Sequence, residues 1–264
     1  MKTGAHAFLS GWDALFILVG LHVAETVIAS VLWDFHGLLG LDEPATAALT
    51  LLLASALVFT LAMRFTRTGW RELLHAGPAS LAATAALLLL PVLALVPALV
   101  LAGTAVTDWL VALAPLSRRE EELFESMAPT SLAALLLVCL LAPVLEELLF
   151  RGLILRGFLA RYPRWPAIVG SALLFGAAHL NIYQFFVGLL IGVPLGWLYE
   201  RTRSLLPCIA LHAAYNGSLT WLELQREAGV EVWWEGTLAG WSLALPLAAF
   251  AGWWLARILQ PARA

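Results

Sequence analysis

The chain has 264 residues, 61% hydrophobic and only 12% charged, against roughly 25% charged in soluble domains. That composition excludes an ordinary water-soluble fold, and a formal net charge of −3 without a basic tract argues against a nucleic-acid partner. Both cysteines, Cys139 and Cys208, lie in apolar stretches, where buried free thiols are expected in place of a disulfide.

A helix needs about 20 apolar residues to cross a bilayer, and the chain offers eight candidate spans. In order they cover 12–33, 45–63, 79–102, 129–157, 166–180, 183–199, 205–223 and 238–257. The expected fold is therefore an all-α, polytopic membrane bundle of about eight helices. Met1-Lys2 leads into a first apolar stretch without a small-residue cleavage site, so that stretch reads as a retained span. Pro91 and Pro97 should kink the third span. Ser117 to Ser126 is polar and reads as an interfacial helix with a solvated face. Trp33, Trp70, Trp109, Trp165, Trp197, Trp233 and Trp234 fall near span ends, the pattern of an aromatic belt. With both termini on one side, eleven Lys and Arg residues share that side and three face the other. By the positive-inside rule both termini are cytoplasmic.

The fourth span carries Glu146-Glu147-Leu148-Leu149-Phe150-Arg151 inside an otherwise apolar run. A charge near the bilayer centre costs roughly 2.5–3.5 kcal/mol, so three in six positions are functional candidates. Glu147 and Arg151 are i,i+4 with the acid first, the favourable order for a helical ion pair. Neighbouring helical residues point about 100° apart, so Glu146 and Glu147 should not face the same partner. Glu146 is left without a local cation, and an unpaired carboxyl in a low-dielectric setting suits a general base working near neutral pH.

Further along, Phe175-Gly176-Ala177-Ala178-His179 ends the short fifth span. Its uncharged turn Leu180-Asn181-Ile182 predicts a hairpin that ends inside the protein, with His179 at depth. Asn181 and Tyr183 read as capping residues there. In the seventh span His212 and Asn216 are i,i+4 and share one helix face. His22, with Glu25 one turn on, and His75 read as structural contacts.

At these residues the sequence resembles the CAAX-protease and bacteriocin-processing family (CPBP, or ABI), the intramembrane glutamate proteases. The family pattern Glu-Glu-x-x-x-Arg, Phe-x-x-x-His, His-x-x-x-Asn reads here as Glu146-Glu147…Arg151, Phe175…His179 and His212…Asn216. The resemblance implies a catalytic core over 129–225, preceded by substrate-selecting helices over 1–128 and followed by a last membrane helix within 226–264. It implies that Glu146 and His179 activate a water, that His212 and Asn216 form an oxyanion hole, and that Glu147, Arg151 and Phe175 support the site. It implies hydrolysis without metal or other cofactor. Zinc ligation by the same side chains is an alternative, although no His-Glu-x-x-His pair is present. A non-catalytic scaffold or bacteriocin-immunity role is another, and a proton-coupled carrier a third, against which no paired broken helices are visible. Richness in Ala, Leu, Arg and Trp points to a high-GC bacterium and its cytoplasmic membrane. The expected substrate is a protein or peptide presented at the bilayer, with a C-terminal sorting tail one candidate.

Overall fold

Ser10 opens the first helix, α1 (Gly11–Leu39), by accepting the Asp13 N–H while Asp13 bonds back to the Ser10 N–H. This reciprocal cap satisfies two donors that a helix start leaves free. Gly40, at φ +64°, ends α1 in a left-handed turn. Two residues later Asp42 caps α2 (Glu43–Thr66), which runs back alongside α1. In the computed structural model, which describes residues 9–126 and 131–260, no strand is found among those residues. The Met1-Lys2 start, Arg263 and the first two residues of the predicted fourth span lie outside the described residues.

A short helix α3 (Trp70–Leu74) follows, then α4 (Leu81–Leu93), α5 (Val96–Leu113) and α6 (Arg118–Ser126). Pro91 lies inside α4 and Pro97 in the first turn of α5, so the third predicted span is divided where the prolines remove backbone donors. At α6, Ser117 and Glu120 cap one another, and the two bonds from Ser117 hold the Glu120 carboxyl below its usual range.

The long helix α7 (Leu132–Arg161) changes register twice. Leu137–Leu141 and Leu148–Leu155 are π-helical, with the Ala142 N–H reaching back five residues to the Leu137 carbonyl. Pro143 explains the first widening: it offers no N–H to the Cys139 carbonyl and its ring pushes that carbonyl aside. The Glu146-Glu147 pair lies between the two wide turns, and such bulges recur at functional sites. Sequence periodicity alone predicted an unbroken α-helix here.

Helices α8 (Arg164–Ala177) and α9 (Ile182–Thr202) form a tight hairpin, followed by α10 (Leu206–Glu227) and α11 (Leu238–Ile258). The hairpin is close-packed because two glycines meet. A Cβ on Gly176 would lie 2.4 Å from the Phe185 carbonyl oxygen, and one on Gly188 would lie 2.9 Å from the Gly176 Cα.

Among the described residues six helices are long and apolar enough to cross a membrane: α1, α2, α5, α7, α9 and α11. The expected count of eight is not reached by this measure. The predicted span 166–180 folds as the 14-residue α8, only about 21 Å long at 1.5 Å per residue. The span 205–223 folds as α10 but is too polar, because it carries His212 and Asn216. Phe16, Val19, Val23, Val27 and Val31 leave an exposed apolar stripe along α1, as expected of a surface facing lipid.

The core gathers where α7, α8, α9 and α10 meet, around the fully buried Ile154, Leu155, Ile168, Leu195, Leu198 and Leu211. One end of the bundle is fixed by contacts between distant segments. Gly11 donates to the Tyr162 hydroxyl at 3.3 Å, Leu205 to the Leu74 carbonyl at 2.9 Å, and Arg156 to Glu72 at 2.9 Å. The α1–α2 turn, the end of α5 and the α10–α11 connection occupy the opposite end. Cys139 and Cys208 are both free thiols.

Candidate active site

Arg151 and Glu147 lie one turn apart on α7, and both side chains are wholly buried. Arg151 Nη1 donates to Glu147 Oε1 at 2.8 Å, and Nη2 reaches across to the Gly192 carbonyl on α9 at 3.2 Å. The guanidinium also stands 4.6 Å above the Phe175 ring. A cation can come this close to the α9 backbone because residue 192 has no side chain. A Cβ there would meet Ala172 Cβ at 2.8 Å and Arg151 Nη2 at 3.5 Å. The predicted ion pair is present, with a carbonyl and an aromatic face added to it.

His212 on α10 provides the link between this pair and Glu146. Its Nδ1 lies 2.8 Å from Glu147 Oε1, and its Nε2 lies 3.7 Å from Glu146 Oε2. Both glutamates therefore face one partner, which corrects the expectation drawn from their 100° separation. The two nitrogens of an imidazole point away from each other, so a ring lying along the helix meets side chains that diverge. Glu147 already accepts from Arg151 as a carboxylate, so the Nδ1 position carries the proton and Nε2 is turned toward Glu146. The Glu146 side chain is 29% exposed where Glu147 is fully covered. Of the two acids, only Glu146 is open to a reactant.

His179 follows α8 and is half-buried. Its Nδ1 donates to the Phe175 carbonyl at 3.0 Å, which leaves Nε2 as the basic nitrogen. Phe175 ties the two histidines together: its ring meets His179 edge-on at 5.3 Å and His212 at 5.5 Å, while Phe150 packs on it at 5.0 Å. No hydrogen bond or ion pair joins His179 to Glu146 among the described residues.

The hairpin tip departs from expectation. Leu180 and Ile182 are 81% and 50% exposed, so the turn does not end inside the protein. Asn181 does cap α9, accepting from the Tyr183 and Gln184 N–H groups. The Tyr183 hydroxyl donates to the Ala114 carbonyl at 2.6 Å, which anchors the tip beside the end of α5.

Asn216, one turn beyond His212, donates from Nδ2 to the Val138 carbonyl at 3.1 Å. Val138 belongs to the first π-helical turn of α7, so the register change supplies the acceptor that orients the amide. Cys139, beside it, lies 3.6 Å from the Thr220 hydroxyl. Among the described residues no group of three or more His, Cys, Asp or Glu side chains is arranged to hold a metal ion.

Sequence reasoning missed the Gly192 and Val138 carbonyls. Gly188, Gly192 and Gly196 recur every four residues along α9, a small-residue stripe that signals close helix approach. Val138 had no signal of its own beyond the nearby Pro143.

Residues 128–218 match the family model described as type II CAAX prenyl endopeptidase Rce1-like. Over that segment the chain is similar to the CAAX-protease (CPBP) family. The matched segment holds all seven site residues of the resemblance. CAAX-type endopeptidases of this family act in membranes, and six membrane-capable helices accord with a multi-pass protein. Comparison with curated proteins and with solved structures gave no match.

Proposed function

We propose that this protein is an intramembrane glutamate endopeptidase that hydrolyses a peptide bond of a substrate presented at the bilayer. Water attacks the scissile carbonyl carbon as its proton passes to Glu146, helped by the basic Nε2 of His179. The C–N bond then breaks and the proton goes to the departing amine. The oxyanion formed in between is met by His212 Nε2 and Asn216 Nδ2. Asn216 keeps one N–H for this purpose, because an amide has two and Val138 takes one. His212, with Nδ1–H committed to Glu147, offers Nε2–H as an imidazolium, and the two carboxylates offset its charge.

The observation that carries this reading is the placement of one buried imidazole between two glutamates of unequal exposure. A scaffold has no need of a carboxylate left open to reactants beside that ring. The protein is further read as residing in a bacterial cytoplasmic membrane with both termini cytoplasmic, a C-terminal sorting tail being one candidate substrate. Residues 129–225 form the catalytic unit, and the helices before them select substrate.

Purified protein in detergent should cleave a membrane-anchored peptide, and Glu146→Gln should abolish cleavage while eluting as a folded species. Turnover by Glu146→Gln near that of the parent would refute the mechanism. Loss of parent activity on chelation, restored by zinc, would assign the chemistry to a metal.

A further inference from the structure

A cavity of about 700 Å³ opens between α1 and α2, and the mechanism makes no use of it. Its walls include Glu25, Trp33, Asp34, Glu43, Thr46 and Thr50. Three of the lining residues are acidic, and none is Lys, Arg or His. Asp34 and Glu43 have no ion-pair partner among the described residues. Among the described residues Glu25 has one ion-pair partner, His22, whose Nδ1 lies 3.2 Å from its carboxylate. Thr50 is 8% exposed, and its hydroxyl has no hydrogen-bond partner among the described residues.

Two features connect this cavity to the candidate active site. Glu25, on the cavity wall, is within electrostatic range of Glu146 on α7. The end of the bundle holding the α1–α2 turn is itself acidic. Residues 34–43, 108–126 and 223–235 hold twelve of the chain's eighteen acidic residues and three of its fifteen Lys and Arg residues. Carboxylates of one sign grouped along a groove set up a field that draws in ligands of the other.

We propose that this cavity receives the cationic flank of the substrate: Lys or Arg side chains adjoining the apolar segment of the peptide that Glu146 cleaves. Asp34 and Glu43 meet the cations near the α1–α2 turn. Trp33 offers an aromatic face beside them, and the buried Thr50 hydroxyl accepts a donor deeper in. Glu25 marks the inner end, within electrostatic range of Glu146. The inference rests on the endopeptidase reading and supplies its missing specificity.

The test separates binding from turnover. Two labelled peptides are made, each with an apolar helix of about 20 residues, one flanked by three lysines and the other by three glutamines. Their affinity for the Glu146→Gln protein in neutral detergent is read by fluorescence anisotropy. The lysine peptide should bind about five- to tenfold more tightly at low salt, as two partly screened ion pairs allow. The advantage should shrink at high salt. Asp34 and Glu43 are exposed, so Asp34→Asn/Glu43→Gln leaves packing intact; it should remove most of the preference without weakening the glutamine peptide. Equal binding of the two peptides, which requires no substitution in the cavity, would overturn the proposal. So would a preference that survives the double substitution. Glu146-dependent cleavage without charge preference would reject the cavity alone. Charge-selective binding without Glu146-dependent cleavage would reject the protease reading and keep the cavity as a cationic-peptide site.

Discussion

Replacing Arg151 by Met keeps an unbranched side chain of similar reach and deletes the charge. The substitution removes the Nη1 bond to Glu147, the Nη2 bond to the Gly192 carbonyl and the contact with the Phe175 ring. All of this occurs at zero exposure, so water cannot replace what is lost. Leaving one partner of a buried ion pair uncompensated costs about 3–5 kcal/mol, and a desolvated cation–π contact adds up to ~2 kcal/mol. Against the 5–15 kcal/mol that holds a typical protein folded, that loss should lower folded yield and melting temperature as well as turnover. The companion Glu147→Gln/Arg151→Met protein removes the orphaned charge and should recover most of the yield while staying poorly active. Detergent size-exclusion profiles and thermal melts, run on both variants beside peptide cleavage, check the prediction. If Arg151→Met accumulates and melts like the parent while only turnover falls, the pair is not structural. If the double variant is no more stable than the single one, the charge-burial argument fails.

Asn216→Ala should lower turnover by about 10²–10³ with little change in substrate binding, as loss of an oxyanion donor does; single-turnover cleavage and peptide affinity measure the two effects separately. Gly188→Ala sets a Cβ 2.9 Å from the Gly176 Cα, so it should spread the α8–α9 hairpin and reduce folded yield in detergent. Reporter fusions at the Asp42 turn and after Arg161 should report opposite sides of the membrane, and same-side signals would reject the proposed topology.

How much of this was legible in the sequence depends on how local each cause is. Pro91 and Pro97 act on their own helical turns, and the break in the third span lies where they stand. Glu147 and Arg151 are one turn apart, and i,i+4 geometry alone predicts their contact. Asn181 caps α9 for an equally local reason. The link through His212 was not legible, because it depends on how α10 lies against α7, and helical spacing says nothing about a third helix. The π-helical turns were hidden for another reason. Hydrophobic periodicity averages over many residues, and a one-residue change of register leaves the apolar pattern almost intact. The exposed hairpin tip escaped because an uncharged turn suits lipid contact as well as burial.

These non-local features bear most directly on chemistry. Glu147 both neutralises Arg151 and, through the same Oε1, holds His212 by Nδ1. The ion pair therefore fixes the ring orientation as well as the helix. Once Nδ1 is fixed, Nε2 faces Glu146, so the position of the proposed general base is referred back to a buried cation and the Gly192 carbonyl. On the other side of the site, the first π turn presents the Val138 carbonyl to Asn216. Two helices are thus cross-registered at two heights, by His212 between the glutamates and by Asn216 one turn away. A constellation held this way changes little when a substrate arrives, and donors set in advance are what stabilise charge as it develops in a water-poor site.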